Sequence, residues 1–99
     1  MKQVIVTADD FGLSPEVNEA VRLAHEDGVL TCASLMVGAP AAKEAAALAR
    51  SRPGLKVGLH LTLVDGRPVL PASEVPDLVD GEGQFRPGLV GPGARMFLS

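Results

Sequence analysis

The residues best equipped for chemistry open in Thr7-Ala8-Asp9-Asp10-Phe11-Gly12, where two adjacent carboxylates follow the β-branched run Val4-Ile5-Val6-Thr7. Side-by-side carboxylates repel, and burying one unpaired is costly, so the pair calls for solvent or a cation. A cation can hold one acid ionised while the other stays free as a base. The same pair also suits a solvated turn before a helix, where acids complement the positive helix end. His60 is the second candidate. Within Leu55–Leu63, it shares the polar face with Lys56, Gly58 and Thr62, opposite Leu55, Val57, Leu59, Leu61 and Leu63. Carboxylate oxygen plus imidazole nitrogen is a donor set for a divalent metal, and a third protein donor is then expected. A lone histidine on a strand is also commonly structural. His25 reads as a surface or packing residue and Cys32 as a small core residue.

The elements that must position these residues follow from pattern and punctuation. Residues 3–8 are almost continuously apolar and β-branched, as a strand covered on both faces should be. Ser14-Pro15 is a helix start, a hydroxyl N-cap followed by proline at the first helical position. Val17, Ala20, Val21 and Ala24 then give one apolar face, and Gly28 suits the end of the helix. Residues 30–37 form a second strand, 41–51 an alanine-rich helix ended by Pro53-Gly54, and 55–63 a third strand. The order β-α-β-α-β with short loops predicts a parallel sheet. In such sheets the functional edge is the carboxyl end of the strands, where Asp9, Asp10 and His60 fall. From Val64 onward glycine and proline crowd the chain, which predicts a loop-rich segment over 64–99, poorly ordered over 86–99.

Composition narrows the function classes. The 99 residues suffice for one small domain, and with neither Trp nor Tyr present the core falls to Val, Leu and Ala. A net charge of −3, with scattered Lys and Arg, offers no stripe for nucleic acid or an anionic membrane. Cys32 is the single cysteine, so no internal disulfide forms, and a reducing, cytoplasmic setting is expected. The apolar run ending at Asp9 is too short for a signal peptide or a membrane span.

Taken together, Thr7–Gly12, Asn18-Glu19-Ala20, Ala33-Ser34-Leu35-Met36-Val37 and Gly58-Leu59-His60-Leu61-Thr62-Leu63 resemble the YdjC-like carbohydrate deacetylase family, in order over about residues 3 to 86. Asp65-Gly66-Arg67-Pro68-Val69-Leu70 is similar to its hopanoid-biosynthesis-associated branch in particular. The resemblance implies an α/β fold, a parallel-stranded (β/α) barrel-like deacetylase of which this chain holds the first three strands and two helices. It implies metal-dependent hydrolysis of an N-acetyl group from an amino sugar or glycolipid, with Mg²⁺ or Zn²⁺ as the cofactor. In such enzymes the first acid of the pair is assigned as general base, which falls on Asp9. The second acid and the histidine of the GLHL segment bind the metal, which falls on Asp10 and His60. Phe11, Thr62 and Arg67 are the corresponding substrate-binding candidates. The family's third ligand is a histidine well downstream, in a segment this chain lacks.

The chain therefore reads as the N-terminal part of one barrel-like domain, inactive as it stands, since a full barrel takes about 250 residues. Three strands with open edges and uncovered apolar positions also predict a homo-oligomer. The rival reading is a phospho-receiver signalling domain, in which an acidic pair after the first strand holds Mg²⁺ and Asp65 takes the phosphoryl group. A non-catalytic remnant is the third.

Overall fold

The computed structural model describes residues 1–88 together with 93, 94 and 97. Its elements run β1 (Thr7–Phe11), α1 (Pro15–Glu26), β2 (Cys32–Leu35), α2 (Ala42–Arg50), β3 (Lys56–Leu59) and a short 3₁₀ turn, Ala72–Glu74. The three strands form one parallel sheet in the order β1-β2-β3. The β-α-β-α-β order expected from the sequence is the order found. Two compact units divide the chain, Met1–His60 and Leu61–Ser99.

In the first unit, α1 and α2 cover one face of the sheet. Phe11 and Ala33 from the strands, Val21 from α1, Ala45 from α2, and Leu30 and Leu55 from the segments leading into β2 and β3 make a single buried cluster. Ser14 caps α1 as expected, its hydroxyl accepting from the Val17 N–H at 3.2 Å. The buried face of α1 differs from the expected one: Ala20 and Ala24 are exposed, and Asn18 and Val21 are buried. A wholly buried asparagine displaces alanine because its amide is satisfied at both ends. Its Oδ1 accepts from the Gly12 N–H at 2.8 Å and its Nδ2 donates to the Ala41 carbonyl at 3.1 Å.

The strands are also placed differently from the pattern. Residues 3–6 lie outside β1, which instead runs through the acid pair to Phe11. Its register against β2 explains why. Ala8 pairs with Ala33 and Phe11 with Leu35, so three steps along β1 match two along β2. The extra residue is a β-bulge that sets Asp9 and Asp10 together opposite Ser34. β3 ends at Leu59, short of Leu63, yet the His60 N–H still donates to the Leu35 carbonyl at 2.9 Å. Val57 and Leu59 pair with Ala33 and Leu35, putting them on the helix-bearing side of the sheet, where they remain 40% and 61% exposed. Cys32 is half-buried and outside the core, contrary to its expected packing role.

The second unit is more structured than its glycine and proline content implied. Val79 and Phe85 pair antiparallel and are both buried, closing a hairpin around Asp80-Gly81-Glu82-Gly83-Gln84. The Asp80 carboxylate accepts from the Glu82 and Gln84 N–H groups at 2.9 and 3.2 Å. The Asp-Gly dipeptide is a recognised hairpin signal. The expectation of poor order over 86–99 falls largely outside the described residues.

Two predictions follow from these contacts. Removing the Asn18 amide strands the buried Gly12 N–H, at a cost of about 1–3 kcal/mol, while the Ala41 carbonyl keeps its bond from the Ala45 N–H. Asn18→Ala should therefore be among the most destabilising single changes in the first unit, measured by urea unfolding; a loss smaller than that of an exposed-site control such as Ala20→Gly would contradict it. The hydrogen bonds from the Gln84 and Glu82 backbone hold the Asp80 carboxyl below its ordinary 3.8. A depressed acid stabilises the folded turn fully above the ordinary value and loses that contribution as pH falls through the lower one. The Glu82 and Gln84 amide resonances should shift together on acid titration with a midpoint below 3.8, and Asp80→Asn should abolish the shared transition.

Candidate active site

The site forms on the sheet face that the helices leave open. β-strand alternation alone would carry Asp9 away from the core, Asp10 into it and Phe11 out again. The bulge resets that phase. Phe11 is wholly buried in the core, while both carboxylates are exposed. Asp10 takes the extra position with φ of 63°, in the left-handed region. Asp tolerates that region better than β-branched residues do, yet it still carries a cost.

Three strands contribute to one cluster. Ser34, at the centre of β2, donates from Oγ to Asp9 Oδ1 at 2.9 Å. The same Oγ lies 3.1 Å from His60 Nδ1. Asp10 approaches His60 twice, through its backbone N–H at 3.3 Å from Nδ1 and through Oδ1 at 3.8 Å from the same nitrogen. His60 is about a quarter exposed and Asp10 about half. Gly58 lies between Ser34 and open space, and a Cβ there would meet nothing within 4 Å.

The loop that follows the acids is fixed with little freedom. Gly12 has φ of +97°, and a Cβ on it would lie 3.0 Å from Leu35 Cδ1, 3.2 Å from Ala42 Cα and 3.3 Å from the Met36 carbonyl oxygen. The Gly12 carbonyl accepts from the Ala41 N–H at 2.9 Å. Asn18 completes this bracket from below, so the ends of β1 and β2 are held together where the carboxylates emerge.

Sequence reasoning found Asp9, Asp10 and His60, and the structure brings all three together. It missed Ser34, whose signal is a hydroxyl in the middle of an otherwise apolar strand. It also gave Asn18 no role, although a polar residue on the apolar stripe of a helix is an equally visible signal. Phe11 has no surface open to a ligand. Thr62 and Arg67 belong to the second unit, the former half-buried and the latter exposed. His25, read as a surface or packing residue, is half-buried with its Nδ1 2.8 Å from the Leu30 carbonyl oxygen.

As a cation site, Asp10 and His60 provide one oxygen and one nitrogen, a donor pair that suits a divalent ion. Among the described residues no group of three His, Cys, Asp or Glu side chains gathers to complete a coordination shell. The pair fits part of such a shell.

Comparison with known proteins turns this geometry into an identity. The family described as YdjC-like protein matches residues 3–98. The chain belongs to the YdjC-like family. Relatives named carbohydrate deacetylase are 49% identical over 86 residues in Brevibacillus brevis, 48% over 92 in Geobacillus stearothermophilus and 47% over 85 in Vibrio vulnificus. Those alignments cover 87%, 92% and 86% of this chain but 34%, 36% and 32% of the relatives, so the chain spans about a third of their length. A crystal structure from Enterococcus faecalis, of a protein named as a candidate for cellobiose-phosphate cleavage, superposes with a TM-score of 0.83 at 39% identity. It covers 90% of this chain and 35% of its own. YdjC-like membership thus accounts for the α/β fold and its parallel strand order. Among the described residues no helix is long and apolar enough to cross a membrane.

The left-handed backbone at Asp10 is open to test. A side chain bearing Cβ costs about 1–2 kcal/mol there relative to glycine. Asp10→Gly should therefore be the more stable of the pair Asp10→Gly and Asp10→Ala by about that amount, read by urea unfolding. Equal stabilities would show that residue 10 does not hold this conformation in solution.

Proposed function

We propose that this chain carries the general base and part of the cation site of a carbohydrate deacetylase, an enzyme hydrolysing the N-acetyl group of an amino sugar or glycoconjugate. The observation that supports it is the gathering of Asp9, Asp10 and His60 around Ser34 on one open sheet face, at the carboxyl ends of three adjacent parallel strands. The names of the relatives supply the reaction class.

The division of labour follows from what each carboxylate touches. Asp9 Oδ1 is held by the Ser34 hydroxyl, which fixes the group and leaves Oδ2 to take a proton from an attacking water. Asp10 leans toward His60 and forms with it the oxygen and nitrogen pair that would hold a divalent cation, Mg²⁺ or Zn²⁺. Such a cation supplies Lewis acidity toward an amide carbonyl and toward water. An amide is a poor electrophile and water a poor nucleophile at neutral pH, so a base and an electrophilic centre are both required. His60 stands beside Asp10 and Ser34, a place with no role in a phospho-receiver.

The test is a chimera in which this chain replaces the corresponding third of the Brevibacillus brevis relative, assayed for acetate release from N-acetylated chito-oligosaccharides. Activity in the chimera is the expected result, and an inactive but folded chimera argues against the reading. Asp9→Asn should keep its metal content and lose turnover by about 10²–10⁴-fold. His60→Ala should lose metal and turnover together. A metal-free Asp9→Asn protein would show that the two acids have exchanged roles.

A further inference from the structure

The three contacts at His60 Nδ1 cannot all be hydrogen bonds at once. Ser34 has one proton to donate, and its 2.9 Å contact with the Asp9 carboxylate is shorter than its 3.1 Å contact with Nδ1. A carboxylate only accepts, so the Ser34 proton lies on that bond. Ser34 Oγ then turns a lone pair toward Nδ1, 3.1 Å away. If Nδ1 also carried a lone pair, two acceptors would face each other at hydrogen-bond distance. If Nδ1 carries the proton, a continuous chain forms, from Nδ1–H to Ser34 Oγ and from Oγ–H to Asp9 Oδ1, ending on a negative charge that strengthens both links. The competing arrangement has Nδ1 accept from the Asp10 N–H. That contact is longer, 3.3 Å, and ends on no charge, so the chain through Ser34 to the Asp9 carboxylate is the stronger of the two.

We propose that Ser34 is a positioning residue that fixes His60 in the Nδ1–H tautomer and leaves the Nε2 lone pair as the ligand nitrogen. A histidine that binds a metal through one nitrogen generally donates the other ring N–H to an acceptor that sets its tautomer and orientation. Here the acceptor is a hydroxyl, and behind it stands the carboxylate we assign as general base. One serine thereby orders both halves of the site: it holds the base from one side and the ligand from the other. The catalytic meaning rests on the deacetylase reading, but the tautomer is a property of the chain without cation or sugar.

The test reads that tautomer directly. Long-range ¹H–¹⁵N correlation of the His60 ring is recorded on the 99-residue chain at mildly alkaline pH, where imidazole is neutral. The wild type should show Nδ1 protonated and Nε2 bare. Ser34→Ala should shift the population toward Nε2–H, and Ser34→Thr, which keeps the hydroxyl, should restore the wild-type signature. Asp9→Ala provides a second route on an exposed side chain: with the terminal acceptor gone, the Ser34 proton is free to turn to Nδ1, giving the same shift toward Nε2–H. A wild type already protonated at Nε2, or a tautomer unmoved by both Ser34→Ala and Asp9→Ala, overturns the proposal. Either result leaves the acetate-release assay of the chimera standing on its own.

Discussion

The structure of the site depends on one buried side chain that takes no part in its chemistry. Asn18 is fully buried and spends its amide on two backbone groups from different loops, accepting from Gly12 and donating to Ala41. A buried amide of this kind contributes little net stability when satisfied and costs much when it is not. Its value is geometric. The loop leaving β1 and the loop leaving β2 are held at fixed separation, and the direct bond from the Ala41 N–H to the Gly12 carbonyl then follows. With those two loops fixed, the last residues of β1 and β2 lie side by side, and Asp9 meets Ser34.

The second constraint is a conflict between core and site that the bulge resolves. Phe11 is one of only three aromatic residues in the chain and fills the centre of the core, so its strand face is dictated by packing. Ala8 is packed against the same core three residues earlier. Two-residue alternation cannot put positions 8 and 11 on one face, and an inserted residue is the remedy. The insertion falls on Asp10, in a left-handed conformation that a short polar side chain tolerates. The acid pair at the opening of the chain is therefore the place where a strand changes phase, and both carboxylates reach solvent as a consequence.

This explains what was legible in the sequence and what was not. The order of elements could be read because helix caps and apolar periods are local signals: Ser14-Pro15 starts α1 and Pro53-Gly54 ends α2 where the pattern predicts. The three titratable candidates could be read because carboxylates and imidazole at the ends of strands stand out against apolar runs. The bulge could not, since the phase of β1 is set by Leu35 and the rest of the core, which are distant in sequence. Asn18 and Ser34 were hidden for a related reason. Their partners lie 6 and 23 residues from Asn18 and 25 and 26 residues from Ser34, so neither role has a local signature. The hairpin at Asp80-Gly81 is the opposite case, a local signal obscured by surrounding glycine and proline.

The bulge also settles why the acids could serve different ends despite their adjacency. In a regular strand, neighbouring carboxylates would divide between core and solvent, and the inward one would need a partner or stay protonated. Here both face the open side but meet different groups, Asp9 a hydroxyl and Asp10 an imidazole. Mutual repulsion is eased by the directions in which the two are drawn, and Ser34 is the pivot because it stands opposite both in the register. Asp9 is thus oriented by a neutral hydroxyl, whereas Asp10 stands beside an imidazole. The asymmetry arises from backbone phase alone, before any ligand arrives.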